Sequence, residues 1–341
     1  RLELAKLPKG TFEAEDFIDD DGVGNGPFEV RVKVTISDEK FVCDFTGTHA
    51  QVPGPVNCGQ SALISGVRTI FKALTNPHLP TNDGCFRPLE VICPTGTIFS
   101  ALRPAAVSTY WETMAYVTDL VWQALAPVVP DQSLTAGHFL SVCGTNLSGI
   151  HPDTGQLFLL VEPQAGGWGA APNHDGTAGL VCSGDGETYI VPAEIAEARY
   201  GLLVNQYSLQ PDEGAGAGRF RGGLGLVRDY EIVSDEAFLT ATFGRYKYAP
   251  WGMDGGRKGS NNRVLVVHQD GRQEEFGKTA RYHLRRGDVA RLITATGGGF
   301  GDPLDRPIDL VVKDVREGYV DPQSAWQDYG VRVDPDTFTV L

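Results

Sequence analysis

Apolar and polar side chains alternate without a break from Phe28 to Ile36. Phe28, Val30, Val32, Val34 and Ile36 fall on one side, Glu29, Arg31, Lys33 and Thr35 on the other. A period of two with that contrast predicts a half-buried antiparallel strand. Ser37-Asp38-Glu39-Lys40 turns the chain, and Phe41 to Phe45 returns as the hairpin partner. The period then changes. Leu63, Val67, Ile70, Phe71 and Leu74 recur at helical spacing and predict a helix over 60–75, stopped by Asn76-Pro77. A second helix is predicted over 111–126 from Met114, Val117, Val121 and Leu125, closed by Pro127 and Pro130. A short strand is expected at Leu89–Cys93.

Beyond about residue 138 the texture is β. Leu157–Val161, Val204–Leu209, Val227–Val233, Phe238–Phe243, Val264–His268 and Val289–Thr294 are short β-favouring runs parted by Gly, Pro, Asp and Asn. Asp270-Gly271 marks a tight hairpin. The stretch Ile308 to Gly330 reads as short helices docked on the outside. The fold class expected is therefore α+β and β-rich, with antiparallel sheets and two main buried helices near 60–75 and 111–126. The C-terminal half is expected to be a β-sandwich or barrel-like. The expected divisions are 1–137, 138–305 and a helical tail over 306–341. Residues 1–27, with Asp19-Asp20-Asp21 before Gly22, Gly24 and Gly26, read as a solvated loop, and they lack the EF-hand order of calcium ligands.

Composition narrows the function classes. With 42 glycines and 21 prolines in 341 residues, elements should be short and loops many. A net charge of −14 argues against nucleic acid, whose phosphates call for a basic surface. No apolar run is long enough for a membrane helix. The six cysteines show no C-x-x-C pair, which fits reduced thiols in a cytoplasmic protein. The opening at Arg1 reads as the remainder of something longer.

Glycines crowd the stretch from Glu162 to Gly225. It holds Gly166-Gly167-Trp168-Gly169, Asn173-His174-Asp175-Gly176, Gly184-Asp185-Gly186-Glu187 and a run from Gly214 to Gly223. Such density suits backbone that turns, or that must come close to a ligand or another chain. No nucleotide fingerprint is present: Arg272 replaces the first glycine of a P-loop ending in Gly277-Lys278-Thr279, and the glycine run is out of register for G-x-G-x-x-G. If ATP is used, another chain binds it. Neither G-x-S-x-G nor H-E-x-x-H occurs.

The remaining candidates are carboxylates. Asp175 adjoins His174, and Glu187, Glu194 and Glu197 flank Pro192. Convergence would raise one pKa for proton transfer; the alternative is a solvated acidic face. Asp44 interrupts a strand and is either on the wet face or functional. Trp111, Glu112 and Thr113 open the second helix, where free amides favour an anion, or where Glu112 simply complements the dipole.

The order of motifs says more than any one of them. Asp44-Phe45-Thr46-Gly47-Thr48, Gly54-Pro55-Val56-Asn57, Glu162 with Gly166-Gly167-Trp168-Gly169-Ala170, and Asp175-Gly176 come first. Ile190 to Glu197, Gly216 to Gly225, Phe243-Gly244-Arg245, Pro250 to Gly256 and Gly297 to Pro303 follow. Over nearly the whole chain this resembles the hydantoinase B/oxoprolinase B family. The resemblance implies an enzyme subunit acting on cyclic amides such as hydantoins, 5-oxoproline and lactams. It implies a hydantoinase A-like partner that carries ATP and Mg, and a small-molecule substrate. A divalent metal, Zn or Mn, is expected in the complex but from an N-terminal portion outside this chain, which itself would hold none. Catalytic groups on this reading are Asp44, Asn57, Glu112, Asp175 and Glu194. Substrate contacts are Trp111, Thr113, His174, Trp168 and the backbone amides of Gly166, Gly167 and Gly169. Tyr110-Trp111 stands where many members carry Gly-Asn, which keeps an acetone- or acetophenone-type carboxylase subunit as the alternative. A non-catalytic scaffold that binds its partner through the glycine-rich loops is the third reading.

Overall fold

The computed structural model describes residues 2–129, 134–181 and 189–341, leaving aside the side chains of Cys143 and Phe243. Pro130, Cys182 and the Gly184-Asp185-Gly186-Glu187 segment lie outside the described residues. The chain forms two compact units, Arg1–Leu134 and Thr135–Leu341.

The first unit is a four-stranded sheet with two helices. Its strands are β1 (Gly10–Ile18), β2 (Phe28–Ile36), β3 (Phe41–Asp44) and β4 (Leu89–Ile92), in that order across the sheet. The hairpin β2–β3 is antiparallel as its alternation demanded, whereas β3 and β4 run parallel. All five apolar residues of β2 are buried. The helices α1 (Gln60–Thr75) and α2 (Tyr110–Leu125) match the helical periodicity to within a residue. Gly66 lets them approach: a side chain there would stand 3.1 Å from the Met114 carbonyl oxygen of α2. Phe41 of β3 meets Phe71 of α1 edge to face with centroids 5.3 Å apart.

The N-terminal stretch is not a solvated loop. Strand β1 pairs with β2 along its full length, and Ala14 and Ile18 are buried. Asp19 and Asp21 are buried too. The Asp21 carboxylate accepts the amides of Val23 at 3.1 Å, Asn25 at 3.0 Å and Gly54 at 3.1 Å, so it organises the turn from inside. These bonds offset the cost of its burial and hold its carboxyl below the usual range.

The second unit contains a two-sheet sandwich. One sheet is ordered β12-β9-β5-β6 and the other β11-β10-β13-β8-β7, all pairs antiparallel. In chain order the strands are β5 (Cys143–Ile150), β6 (Leu157–Gln164), β7 (Leu202–Gln210), β8 (Gly225–Ile232) and β9 (Glu236–Phe243). They continue with β10 (Arg263–Val267), β11 (Gln273–Phe276), β12 (Lys278–Arg285) and β13 (Val289–Ile293). A short helix, α3 (Ala193–Arg199), precedes β7. Leu147, Leu160, Tyr230, Leu239, Val264, Leu284 and Leu292 fill the space between the sheets. The sandwich is thus the form the C-terminal half takes; neither sheet closes into a barrel among the described residues. The tail supplies α4 (Ile308–Arg316) and α5 (Pro322–Tyr329), which bury Val311, Val315, Ala325 and Tyr329 together with Ala217.

Candidate functional site

The glycine-rich segments stack backbone against backbone. Gly167 donates its amide to the Ala295 carbonyl at 2.9 Å, Trp168 to Thr177 at 2.9 Å, Gly223 to Trp168 at 2.8 Å and Gly297 to Gly223 at 2.9 Å. A Cβ on Gly166 would lie 1.4 Å from the Ser141 carbonyl oxygen, and one on Gly169 would lie 1.9 Å from that of Ala136. The glycines are required because the partner is another stretch of main chain. Of the three amides expected to face a substrate, those of Gly166 and Gly167 are instead donated to the carbonyls of Leu180 and Ala295.

Charged side chains bound this layer. Arg306, almost fully buried, grips Asp175 with both terminal nitrogens, at 2.8 and 2.9 Å. The same guanidinium lies 2.7 Å from Asp314 of α4, whose other oxygen meets Arg221 Nε at 3.1 Å. Arg221 stacks over Tyr319 at 4.1 Å, and its amide donates to Asp175 at 2.9 Å. Two arginines thus neutralise two aspartates. Burial alone would raise the Asp175 carboxyl, but the hydrogen bonds and charge of Arg306, aided by Arg221, bring it below the usual carboxylate range. A group held ionised with both oxygens engaged suits a clamp better than proton transfer near neutral pH. His174 beside it is exposed, with Nδ1 2.8 Å from the Asp175 carbonyl. Glu194 and Glu197 are exposed on α3, and Glu197 caps the Val204 amide at 3.0 Å. Neither forms a bond to Asp175, so the expected convergence is not seen among the described residues.

Two other buried centres lie in the same unit. Glu162 and Gln164 continue the inward face of β6, after Phe158 and Leu160. The Glu162 carboxylate accepts from Val191 N at 2.6 Å, Gln164 Nε2 at 3.0 Å, Arg228 Nη1 at 3.3 Å and the Tyr230 hydroxyl. Burial, then the Glu162 charge, pushes the Tyr230 phenol up. His138 stacks on Trp168 at 4.6 Å, and burial lowers its pKa to about 4, keeping the ring neutral.

In the first unit the predicted polar residues gather on one loop and one helix start. Asn57 is buried; its Oδ1 accepts from Val52 N at 2.8 Å, and its Nδ2 donates to Val52, Gly54 and Ala106 carbonyls, each at 2.9 Å. Its amide is wholly spent on shaping the loop. Thr113 donates to the Val56 carbonyl, and Glu112 is buried in the first turn of α2 beside half-buried Trp111. Asp44 stands apart at the end of β3, accepting the Thr46 amide at 2.9 Å.

Reading the sequence missed Arg306, Asp314, Arg221, Arg228 and His138 as structural centres. Glu162 and Arg228 left a signal, since the alternation of β6 places Glu162 inward and that of β8 sets Arg228 in step with buried Tyr230 and Ile232. Among the described residues no three His, Cys, Asp or Glu side chains come close enough to share a metal ion, so the groups present do not fit one.

The sequence model of the Hydantoinase B/oxoprolinase family matches residues 1–303. A putative D-/L-hydantoinase B-type subunit from Pseudomonas sp. is 29% identical over 349 residues, covering 98% of this chain and 57% of that protein. The beta subunit of the Pseudomonas jessenii caprolactamase is 30% identical over 357 residues, covering 98% of this chain and 58% of its own length. The solved structure of that ATP-dependent caprolactamase superposes with a TM-score of 0.84 at 28% identity, over 97% of this chain and 58% of the other. Acetone carboxylase superposes at 0.86 over 99% of this chain and 51% of the other; at 19% identity this is likeness of fold. The chain spans about half the length of the relatives it matches.

Proposed function

The chain belongs to the hydantoinase B/oxoprolinase family, and from that premise we propose that it is part of the B-type subunit of an ATP-dependent enzyme that opens cyclic amides. One observation carries the reading: a hydantoinase subunit and a lactamase subunit each align with nearly all of this chain. On this reading a hydantoinase A-like chain supplies ATP and Mg, in keeping with the lack of any phosphate-cradling motif here. Phosphorylating an amide oxygen would make the ring carbon open to attack by water. The divalent metal is assigned to the part of the relatives' polypeptide that this chain does not cover.

Of the five candidate catalytic groups, Glu112 fits best, because it is buried at a helix start next to Thr113 and the Asn57 loop. Asp175 and Asn57 act as positioning groups. Free thiols at Cys43, Cys58, Cys85 and Cys93 support a reducing, cytoplasmic setting. Among the described residues β6 ends its sheet with no further strand beside it, which supports the assignment to a multi-chain enzyme. Leu157, Leu159 and Val161 of β6 are 76%, 57% and 64% exposed, and apolar edges of that kind are normally paired or covered.

The test is co-expression with an A-type chain and the remainder of a B-type polypeptide, supplied with MgATP and hydantoin, 5-oxoproline or caprolactam. Ring-opened amino acid, ADP and phosphate, formed only when every chain is present, is the expected result. A bicarbonate-dependent carboxylated ketone would replace the reading with the carboxylase. Unchanged turnover by Glu112→Gln would remove that residue from the chemistry. Leu159→Lys should abolish co-purification with the A-type chain while leaving the melting temperature intact; full co-purification would clear the β6 edge of any part in assembly.

A further inference from the structure

At one end of the sandwich the β10–β11 turn and the β12–β13 turn enclose a polar cleft of about 440 Å³. That lies within the range of small-ligand sites, about 300–1,000 Å³. Arg272, Arg285, Arg286, His268 and His283 line it, with Asp270 and Asp288 as the carboxylates of the lining.

The carboxylates are already engaged. Asp288, 5% exposed in its side chain, accepts the amides of Gln269 at 3.2 Å and Arg285 at 2.9 Å and meets His268 Nδ1 at 3.2 Å. Asp270 accepts the Arg272 amide at 2.9 Å. The other face of His268 is held by Glu274 and Tyr282, each 3.2 Å from Nε2. The guanidinium groups are spent far less. Arg272 gives one nitrogen to Glu274, and Arg286 gives one to Asp235 at 2.9 Å. His283 pairs with Glu236 at 2.9 Å. Arg285 has no acidic partner among the described residues. Each guanidinium carries five N–H donors in a planar fork, so most of the donors lining the cleft are unspent.

We propose that this cleft binds a small multivalent oxyanion, a phosphate-bearing or polycarboxylate metabolite, through Arg285 with Arg272 and Arg286. Planar forks set close together match such an anion, and a single-charge halide would use few of their donors. The overall charge of −14 disfavours anions at long range, so the site works only by direct contact and with sharp selectivity for matched geometry. The inference stands apart from the ring-opening reading, because nothing in it depends on ATP or a partner chain.

The full chain is titrated with inorganic phosphate, pyrophosphate and citrate at constant ionic strength, with calorimetry and thermal shift as readouts. At least one anion should bind saturably and raise the melting temperature above a sodium chloride control. Arg285→Ala should weaken that binding by about tenfold or more, the worth of a charge-assisted hydrogen bond. Arg285→Lys, which keeps the charge but loses the fork, should fall in between. Tighter pyrophosphate than citrate identifies a phosphate ligand, and the reverse a polycarboxylate. Absence of saturable binding by all three anions overturns the proposal. So does binding that Arg285→Ala and Arg286→Ala leave unchanged while both variants melt normally.

Discussion

Replacing Arg306 by methionine isolates the clamp that borders the glycine layer. The substitution keeps most of the side-chain volume and removes the charge shared by Asp175 and Asp314. Breaking a buried ion pair costs about 3–5 kcal/mol. Because Asp175 is 30% exposed and water can reach it, the lower end, about 3 kcal/mol, is the fair figure. In a unit of this size each kcal/mol moves the melting temperature by about 2–4 °C, giving a fall of roughly 6–12 °C. The pH dependence adds a second readout. In the native chain the Asp175 carboxyl lies below its ordinary value, so its contribution is full above the unfolded value and drains away as pH falls through the folded one. Without Arg306 the Asp175 carboxyl loses the hydrogen bonds and charge that hold it down, so the variant lacks this contribution throughout the neutral range. The gap between native and variant melting temperatures should therefore stay full from pH 7 down to the ordinary carboxyl value of 3.8 and narrow as pH falls below it. Calorimetric melts over that range decide it. A loss under about 2 °C, or a gap that does not change with pH, refutes the clamp. Asp175→Asn separates the clamp from catalysis: a clamp lowers the melting temperature, whereas a proton-transfer group would lose turnover in a fully stable protein.

Gly222→Ala should fail to give soluble protein or lose more than about 4 kcal/mol, since its Cβ would stand 1.9 Å from the Gly297 carbonyl oxygen. Gly59→Ser, at the start of α1 with open space around it, should gain a few tenths of a kcal/mol and serve as the control. His138 is held neutral by burial, with a pKa of about 4 against an ordinary 6.5. The unfolded chain therefore takes up the proton first, and stability should fall as pH drops from 6.5 toward 4. Melts of His138→Gln should show a shallower acid slope over that interval; an identical slope would exclude the histidine as its source.

Elements with a clean period were legible in the sequence. Strand β2 alternates without exception, and α1 and α2 carry apolar residues at helical spacing, so tertiary packing agreed with local pattern. Strand β1 was missed because Glu13, Glu15 and Asp16 crowd a strand that pairs on one side only and keeps one face wet. The glycine layer was visible as composition but not as contact, since its hydrogen bonds join segments far apart in the chain and main-chain atoms carry no residue code. Buried arginines were invisible for a different reason. Arg221 and Arg306 stand in no apolar period, and an arginine in a loop-like stretch reads as surface until its partner is located.

The layer and the clamp answer the same physical need. Where main chain packs on main chain there is little apolar side-chain surface to bury, so the usual source of stability is thin. Hydrogen bonds between glycine segments satisfy the backbone but contribute only about 0.5–1.5 kcal/mol each. Something must stop these segments from sliding apart, and the arginines do so from the border: Arg221 within the glycine run, Arg306 just after the last glycine turn. Their second aspartate, Asp314, belongs to α4, which ties the tail into the layer. The family match ends at residue 303, three residues short of Arg306. The physical unit extends further than the matched sequence, because the charge that holds Asp175 in place comes from beyond that end.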